Sequence, residues 1–344
     1  MREMFGPFAI IMQILGVFLT LAPDAHLAAK VPQVGVLIYG GARDPRLAAF
    51  RRGLRELGYI EGKNIIIEYR FIRGKPERVH HLTRELVRRK VDVIVTGGTL
   101  TARAAQRATA TIPIVFAFSG DPVGTGLVAS LAQPGGNVTG LSMISAELAG
   151  KRLELLKEAA PGISSVGVLW DALVPDNILD YETTQRTARA LHLRLQSLAV
   201  RGPKNGYRRG VGEGFIKGPD DHFRAILSTV AGHRLDALLI AAGGIINRHQ
   251  KTIIEFATAN RLPVMHETLE FAEAGGLMAY GVNLSDLFRR SASYVAKILN
   301  GANPADLPVE RPMKAEFVVN LKTAQEIALA IPHKVLQRAD KVVK

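Results

Sequence analysis

The stretch "TGGTLTARAA" (Thr96 to Ala105) sets two glycines and two hydroxyl residues, Thr99 and Thr101, at the opening of a helical pattern. A helix start offers free backbone N–H groups and the positive end of the helix dipole, which together favour an anion such as a carboxylate. Ordinary capping by a threonine hydroxyl is the competing role, and both can hold together. The segment is neither GxxxxGK[ST] nor GxGxxG, so it is not a nucleotide cradle.

Other candidates stand where short apolar runs stop. Tyr39 and Gly40 follow "VGVLI", Gly98 follows "VDVIVTG", and Ser119 and Asp121 follow "IPIVFAF". Trp170 and Asp171 follow a second "VGVL", Gly243 follows "LDALLIAA", and Glu267 follows "LPVMH". In doubly wound sheets ligands bind beyond the C-terminal ends of the strands, so these residues are expected to line one cleft. Trp170, Tyr39 and Tyr280 can stack on a flat ligand or pack in the core. Glu267 can accept from a ligand amine or hydroxyl, or serve as a cap or ion pair. Asp121-Pro122 reads first as the cap of a helix starting near Val123, with Ser119 still able to face the cleft.

Catalysis finds no footing in this pattern. The chain holds no GxSxG elbow, no HExxH and no cysteine nucleophile. His80 and His81 are adjacent on a helical pattern, so their side chains diverge by about 100° and cannot chelate one metal. The expectation is a non-enzyme without a cofactor. A formal net charge of +13 raises nucleic acid as a partner, but the basic residues lie along helical faces interleaved with glutamate. Zinc-finger spacing and RNA-recognition aromatics are absent, so nucleic acid is not expected and a solvated basic surface is.

The elements that must hold these residues repeat. "VGVL" occurs at Val34 to Leu37 and again at Val166 to Leu169, each opening a series of apolar runs alternating with helical patterns. In "PRLAAFRRGLRELGY", for example, Leu47, Phe50, Leu54 and Leu57 fall on one helical face. The pairs match in kind: "VDVIVTGG" with "LDALLIAAGG", and "ATIPIVFAF" with "NRLPVMHET". The fold class is therefore α/β, with two doubly wound parallel-sheet lobes joined by a hinge. Residues 30–140 with about 281–305 are assigned to lobe one, and 141–280 with about 306–344 to lobe two. "NVTGLS" reads as a first crossing between lobes, "GGLMAYGVN" as a return, and "EFVVNLKTAQEIAL" as a third crossing with a closing strand and helix. The Gly-rich basic segment 201–219 breaks the symmetry and reads as an inserted mobile surface loop, or else a lid. The apolar run Phe8 to Ala22 is about 15 residues, short of the roughly 20 a bilayer span needs, and suits a signal peptide over residues 1–29. An uncleaved anchor or a mis-assigned start are the alternatives.

Several long motifs carry a resemblance. "FRRGLRELGYIEGKNIIIEYR", "TIPIVFAFSGDPVGTGLVASLAQPGGNVTGLS", "GKRLELLKEAAPGISSVGVLW" and "EAGGLMAYGVNLSDLFRRSASYVAKILNGANPADLPVE" resemble the solute-binding proteins of ABC transporters, in the branch with tryptophan- and tyrosine-binding members. The resemblance implies a type I periplasmic binding fold, a small ligand trapped in the interlobe cleft, and docking on an ABC permease; with the expected signal peptide, a periplasmic monomer is expected. It places the ligand carboxylate at the Thr99–Thr101 helix start and assigns the loops around Tyr39, Ser119, Asn137, Trp170, Gly243 and Glu267 to the rest of the site. A small carboxylate-bearing ligand, aromatic or amino-acid-like, is the expected partner. A periplasmic sensor of the same fold, acting on a membrane kinase, is the alternative.

Overall fold

The computed structural model describes residues 30–73, 75–200, 219–232 and 235–344. The expected signal peptide, and all but the last residue of the 201–219 insertion, lie outside the described residues. The first series of elements is β1 (Gln33–Ile38), α1 (Pro45–Glu56), β2 (Ile66–Phe71), α2 (Val79–Arg88), β3 (Val93–Gly97), α3 (Thr99–Ala108), β4 (Ile114–Ser119) and β5 (Val138–Ser142). The second is α4 (Ser145–Ala159), β6 (Ser165–Trp170), α5 (Pro175–Ala190), β7 (Arg194–Ala199), α6 (Pro219–Gly232), β8 (Ala237–Ile240), α7 (Gly244–Arg248) and α8 (Gln250–Ala259). It continues through β9 (Val264–His266), α9 (Leu269–Glu273) and β10 (Met278–Gly281). The chain closes with α10 (Leu284–Leu299), β11 (Glu316–Asn320), α11 (Leu321–Glu326), α12 (His333–Leu336) and β12 (Lys341–Val343).

Two sheets result, ordered β2-β1-β3-β4-β5 and β12-β11-β10-β9-β8-β6-β7. Five strands of the second, β7-β6-β8-β9-β10, repeat the order of the first, and within each set of five every pairing is parallel. The two VGVL segments occupy the same place in this scheme. Val34 pairs with Ile67 on one side and Val93 on the other, while Val166 pairs with Leu195 and Ala237. Their shared glycine has a packing reason. A Cβ on Gly35 would lie 2.9 Å from Leu86 of α2, and one on Gly167 only 2.6 Å from Leu235.

Five sequence readings are changed or refined. "NVTGLS", read as the first crossing, carries β5 just before that crossing, and "GGLMAYGVN", read as the return, carries β10, the fifth strand of its set. The second sheet is mixed, because β11 runs antiparallel to β10. No helix starts near Val123: Asp121 Oδ1 accepts from Gly124 N at 2.8 Å and stabilises a run of turns instead. Leu57 sits at the C-cap of α1 and is 46% exposed, beyond the buried stripe of Leu47, Phe50 and Leu54.

The chain passes between sheets three times. It leaves the first sheet after Ser142, returns after Gly281 to place α10 against α1, β3, β4 and β5, and leaves again after Glu310, which runs beside β5. Leu287, Phe288 and Val295 of α10 complete the core around Val34, Val36, Phe50 and Val95. At the α1–α10 crossing an added Cβ on Gly53 would lie 2.2 Å from the Arg289 carbonyl oxygen and 3.0 Å from Ala292 Cβ. Backbone cannot yield as a side-chain tip can. Gly53→Ala is expected to cost about 1–3 kcal/mol, read as a lower urea midpoint with an unchanged slope.

Candidate functional site

The strand ends of both sheets face a cavity of about 420 Å³. From the first sheet it is lined by Ile38, Tyr39 and Gly40 beyond β1, by Gly97 to Leu100 at the β3–α3 turn, and by Phe118, Gly120 and Met143. From the second come Val174, Asp176 and Asn177 at the start of α5, Ala242 to Ile245 beyond β8, and Glu267 and Thr268 beyond β9. Arg46, Arg73 and Arg248 border it. The lobes touch across it. Asp121 N donates to Asp176 Oδ1 at 2.9 Å, and the Tyr39 ring lies where a Cβ of Gly244 would be, 2.8 Å away.

The first wall presents donors and rings. Gly98 opens α3 with φ 102°, a left-handed conformation that glycine adopts without strain, and no side chain caps the helix. Thr99 is buried, its Oγ1 2.6 Å from Ser119 Oγ. The first-turn N–H groups are thereby left for an anion in the cavity. Phe118 lies beside this turn, tilted 58° against Phe288 at 6.0 Å. Arg46 is already neutralised, with Nε and Nη2 donating to the two Asp44 oxygens at 2.9 and 2.6 Å.

The second wall presents acids. Asp176 is pushed up to about 6, chiefly by burial; neighbouring Glu267 and Asp121 add to this, and hydrogen bonds from Thr99 and Asp121 oppose it. Glu267 Oε2 accepts from Ala242 N at 2.8 Å and Oε1 from Ser145 Oγ at 2.6 Å. Behind it lies buried Arg152, whose Nη1 is 3.7 Å from Asp180 Oδ2 and whose Nη2 is 3.8 Å from Glu267 Oε1. Its Nε donates to the Tyr280 carbonyl at 2.8 Å. Burial, and then Arg152, hold His266 down at about 3, so its imidazole is neutral, with Nδ1 accepting from Thr268 N at 2.9 Å.

Of the residues singled out from sequence, the structure brings Tyr39, Gly40, Gly98, Thr99, Gly243 and Glu267 together around the cavity. Ser119 stands directly behind Thr99. Six others do not line it. Thr101 Oγ1 turns back to the Gly98 carbonyl at 2.7 Å. Asn137 lies at the opposite end of its strand, donating to the carbonyls of Thr109 and Ile112 at 3.0 and 2.8 Å. Trp170 stacks on Tyr181 of α5 at 4.7 Å, with Nε1 donating to Ser197 Oγ at 2.9 Å, so it packs on its own sheet. Asp171 is fully buried and accepts from Leu173 N, Asp121 serves its turn, and Tyr280 packs edge-on against Phe317. Phe118, Asp176 and Asn177 line the cavity without having been singled out. Asp176 did leave a trace: it follows Pro175, and proline with an acid in the first turn marks a helix start.

The Asp176 environment has a measurable consequence. Its folded value lies above the ordinary 3.8, so the folded state binds the proton more tightly than the unfolded chain. The associated stability is present below about pH 4 and is lost as pH rises through about 6, amounting to about 3 kcal/mol. Asp176→Asn should abolish this part of the slope, measured as urea stability at several pH values between 4 and 7.

Comparison with known proteins agrees with this architecture. The family model described as ABC transporter substrate binding protein matches residues 32–205 and 225–343. A tyrosine-binding protein of Clostridioides difficile (strain R20291) is 27% identical over 301 residues, covering 87% of this chain and 81% of its own. Among solved structures, a conserved domain protein from Vibrio cholerae superposes with a TM-score of 0.80 at 29% identity, over 91% of this chain and 100% of that one. An ABC domain in complex with L-Trp from Streptococcus pneumonia gives 0.79 at 25% identity, over 91% and 99%. The two-lobed fold is that of the type I periplasmic binding proteins. With the family model covering most of its length and a cleft built from the strand ends of both lobes, the chain belongs to the ABC transporter substrate-binding proteins, a class that binds solutes and does not catalyse.

Proposed function

We propose that this protein captures an amino acid with a large aromatic or apolar side chain in the interlobe cleft and delivers it to an ABC permease. The observation that carries this reading is the opposition of charge across the cleft. An uncapped helix start on one wall suits an α-carboxylate, and Glu267 on the other suits an α-ammonium, while Asp176 bridges the walls through Asp121 N and Thr99. Tyr39, Phe118, Ile38, Met143 and Leu284 form an apolar remainder fit for a ring. The L-Trp complex of the pneumococcal protein and the tyrosine-binding relative support the same class.

Residues 32–142 with α10 move as lobe one, the two sheets closing about the crossings at 142–145, 281–284 and 310–316. The apolar run Phe8 to Ala22 directs export, so the protein works outside the cytoplasmic membrane, as a monomer.

A thermal-shift and calorimetric screen over L-amino acids, sugars and cations tests the reading. L-Tryptophan, L-tyrosine or L-phenylalanine should raise the melting temperature, because they bind the native state alone. Phe118→Ala should weaken that binding at least about tenfold, whereas Trp170→Phe should leave it unchanged. Stabilisation by sugars or cations only would overturn the amino-acid assignment.

A further inference from the structure

Ser145 Oγ lies 2.7 Å from Asp180 Oδ2 and 2.6 Å from Glu267 Oε1. A hydroxyl has one proton to donate, so both short contacts cannot be donated by Ser145 to ionised carboxylates. One of the two acids must donate to it. The surroundings identify which. Glu267 has an acceptor's environment, with Ala242 N on its second oxygen, whereas Asp180 Oδ1 has no hydrogen-bond partner. A buried ionised carboxylate left with a bare oxygen costs more than a neutral acid in the same place. The chain Asp180 Oδ2–H···Ser145 Oγ–H···Glu267 Oε1 satisfies every atom it contains.

We propose that ligand capture is coupled to release of the proton held on Asp180. The proposal rests on the reading that a ligand ammonium meets Glu267 in the cleft. The groups around Asp180 make the balance explicit. Arg152 of α4 is the one cation among the described residues that pairs with Asp180 and Glu267, with Asp176 one helical turn away on α5, neutral His266 beside Glu267, and the Tyr181 and Trp170 rings lining the same pocket. With one cation in this pocket, one carboxylate of the pair is ionised. A second cation, the ligand ammonium, permits both. The Asp180 O–H bond then breaks as that proton passes to Ser145 Oγ. The original Ser145 proton passes to Glu267 Oε1 and from there to a buffer base in the cleft; Ser145 then donates to Asp180 alone, and its contact with Glu267 lengthens as the ligand ammonium takes its place. Burial and the adjacent Glu267 hold Asp180 well above the usual carboxylate range before capture, which is consistent with this state.

Asp180 lines no part of the ligand cavity and acts as a positioning residue, so its role separates from contact with ligand. L-Tryptophan is titrated calorimetrically into the protein at one pH in buffers of different ionisation enthalpy. The expected result is an apparent enthalpy that varies with buffer, corresponding to release of up to about one proton. The dependence should vanish in Asp180→Asn, with affinity retained within a few-fold, and with indole-3-propionate, which lacks the ammonium. Binding of L-tryptophan with no buffer dependence, or undiminished release in Asp180→Asn, overturns the proposal while leaving the amino-acid reading intact. Absence of binding by any amino acid overturns both. A ligand-free check needs no variant to fold: the Asp180 carboxyl carbon should show the shift of a protonated acid at neutral pH, and an ionised signal there would equally overturn it.

Discussion

A buried guanidinium cannot be left without partners, and Arg152, 3% exposed, sets the terms for much of the second lobe. Its Nε holds the Tyr280 carbonyl in β10, just before the second crossing. Its Nη1 reaches Ser145, the first residue of α4 and the landing point of the first crossing. The remaining charge is met by Asp180 and Glu267, and Glu267 is the one that reaches the cleft. A single charge requirement therefore fixes the cleft wall relative to two of the three strands of chain on which the lobes turn. Countering the charge of Arg152 and presenting an acid to the cleft are the same structural act.

The scaffold was legible in the sequence because repetition and period are properties of the chain itself. Two VGVL segments, each followed by alternating apolar runs and helical faces, sufficed to place the first strand of each parallel set. The site was less legible, because a strand end specifies a position but not a direction. Along β4, alternation sends Phe118 to the cavity and Ser119 behind it, and one residue's difference decides between lining and supporting. Trp170 illustrates the other limit. It ends its strand as Tyr39 nearly does, yet α5 offers Tyr181 and β7 offers Ser197, and the indole takes both partners. Those partners come from elements elsewhere in the chain, and no local pattern announces them. Arg152 lay inside an ordinary amphipathic helix, where its sequence neighbours gave no hint that two acids distant in the chain would converge on it.

The two lobes share a strand order and divide the chemistry. The first contributes backbone donors and aromatic rings, the second carboxylates and the buried cation behind them. Identical topology puts equivalent strand ends opposite one another, so divergence at a few terminal residues suffices to make a polarised cleft from two copies of one plan. The antiparallel β11 and the β12 beside it extend only the second sheet, covering β10, the strand that carries the Arg152 contact.

The position of α10 bears on how the molecule comes into being. Leu287, Phe288 and Val295 fill the core of the first lobe, yet they follow the whole central part of the second lobe in the chain. A growing polypeptide that has emerged only as far as β10 holds every strand of the first sheet and still lacks a wall of its core. Closing that gap joins residues more than half the chain apart, a slow step by contact order. Lobe one is therefore a late product of synthesis, completed only after most of the second lobe has emerged.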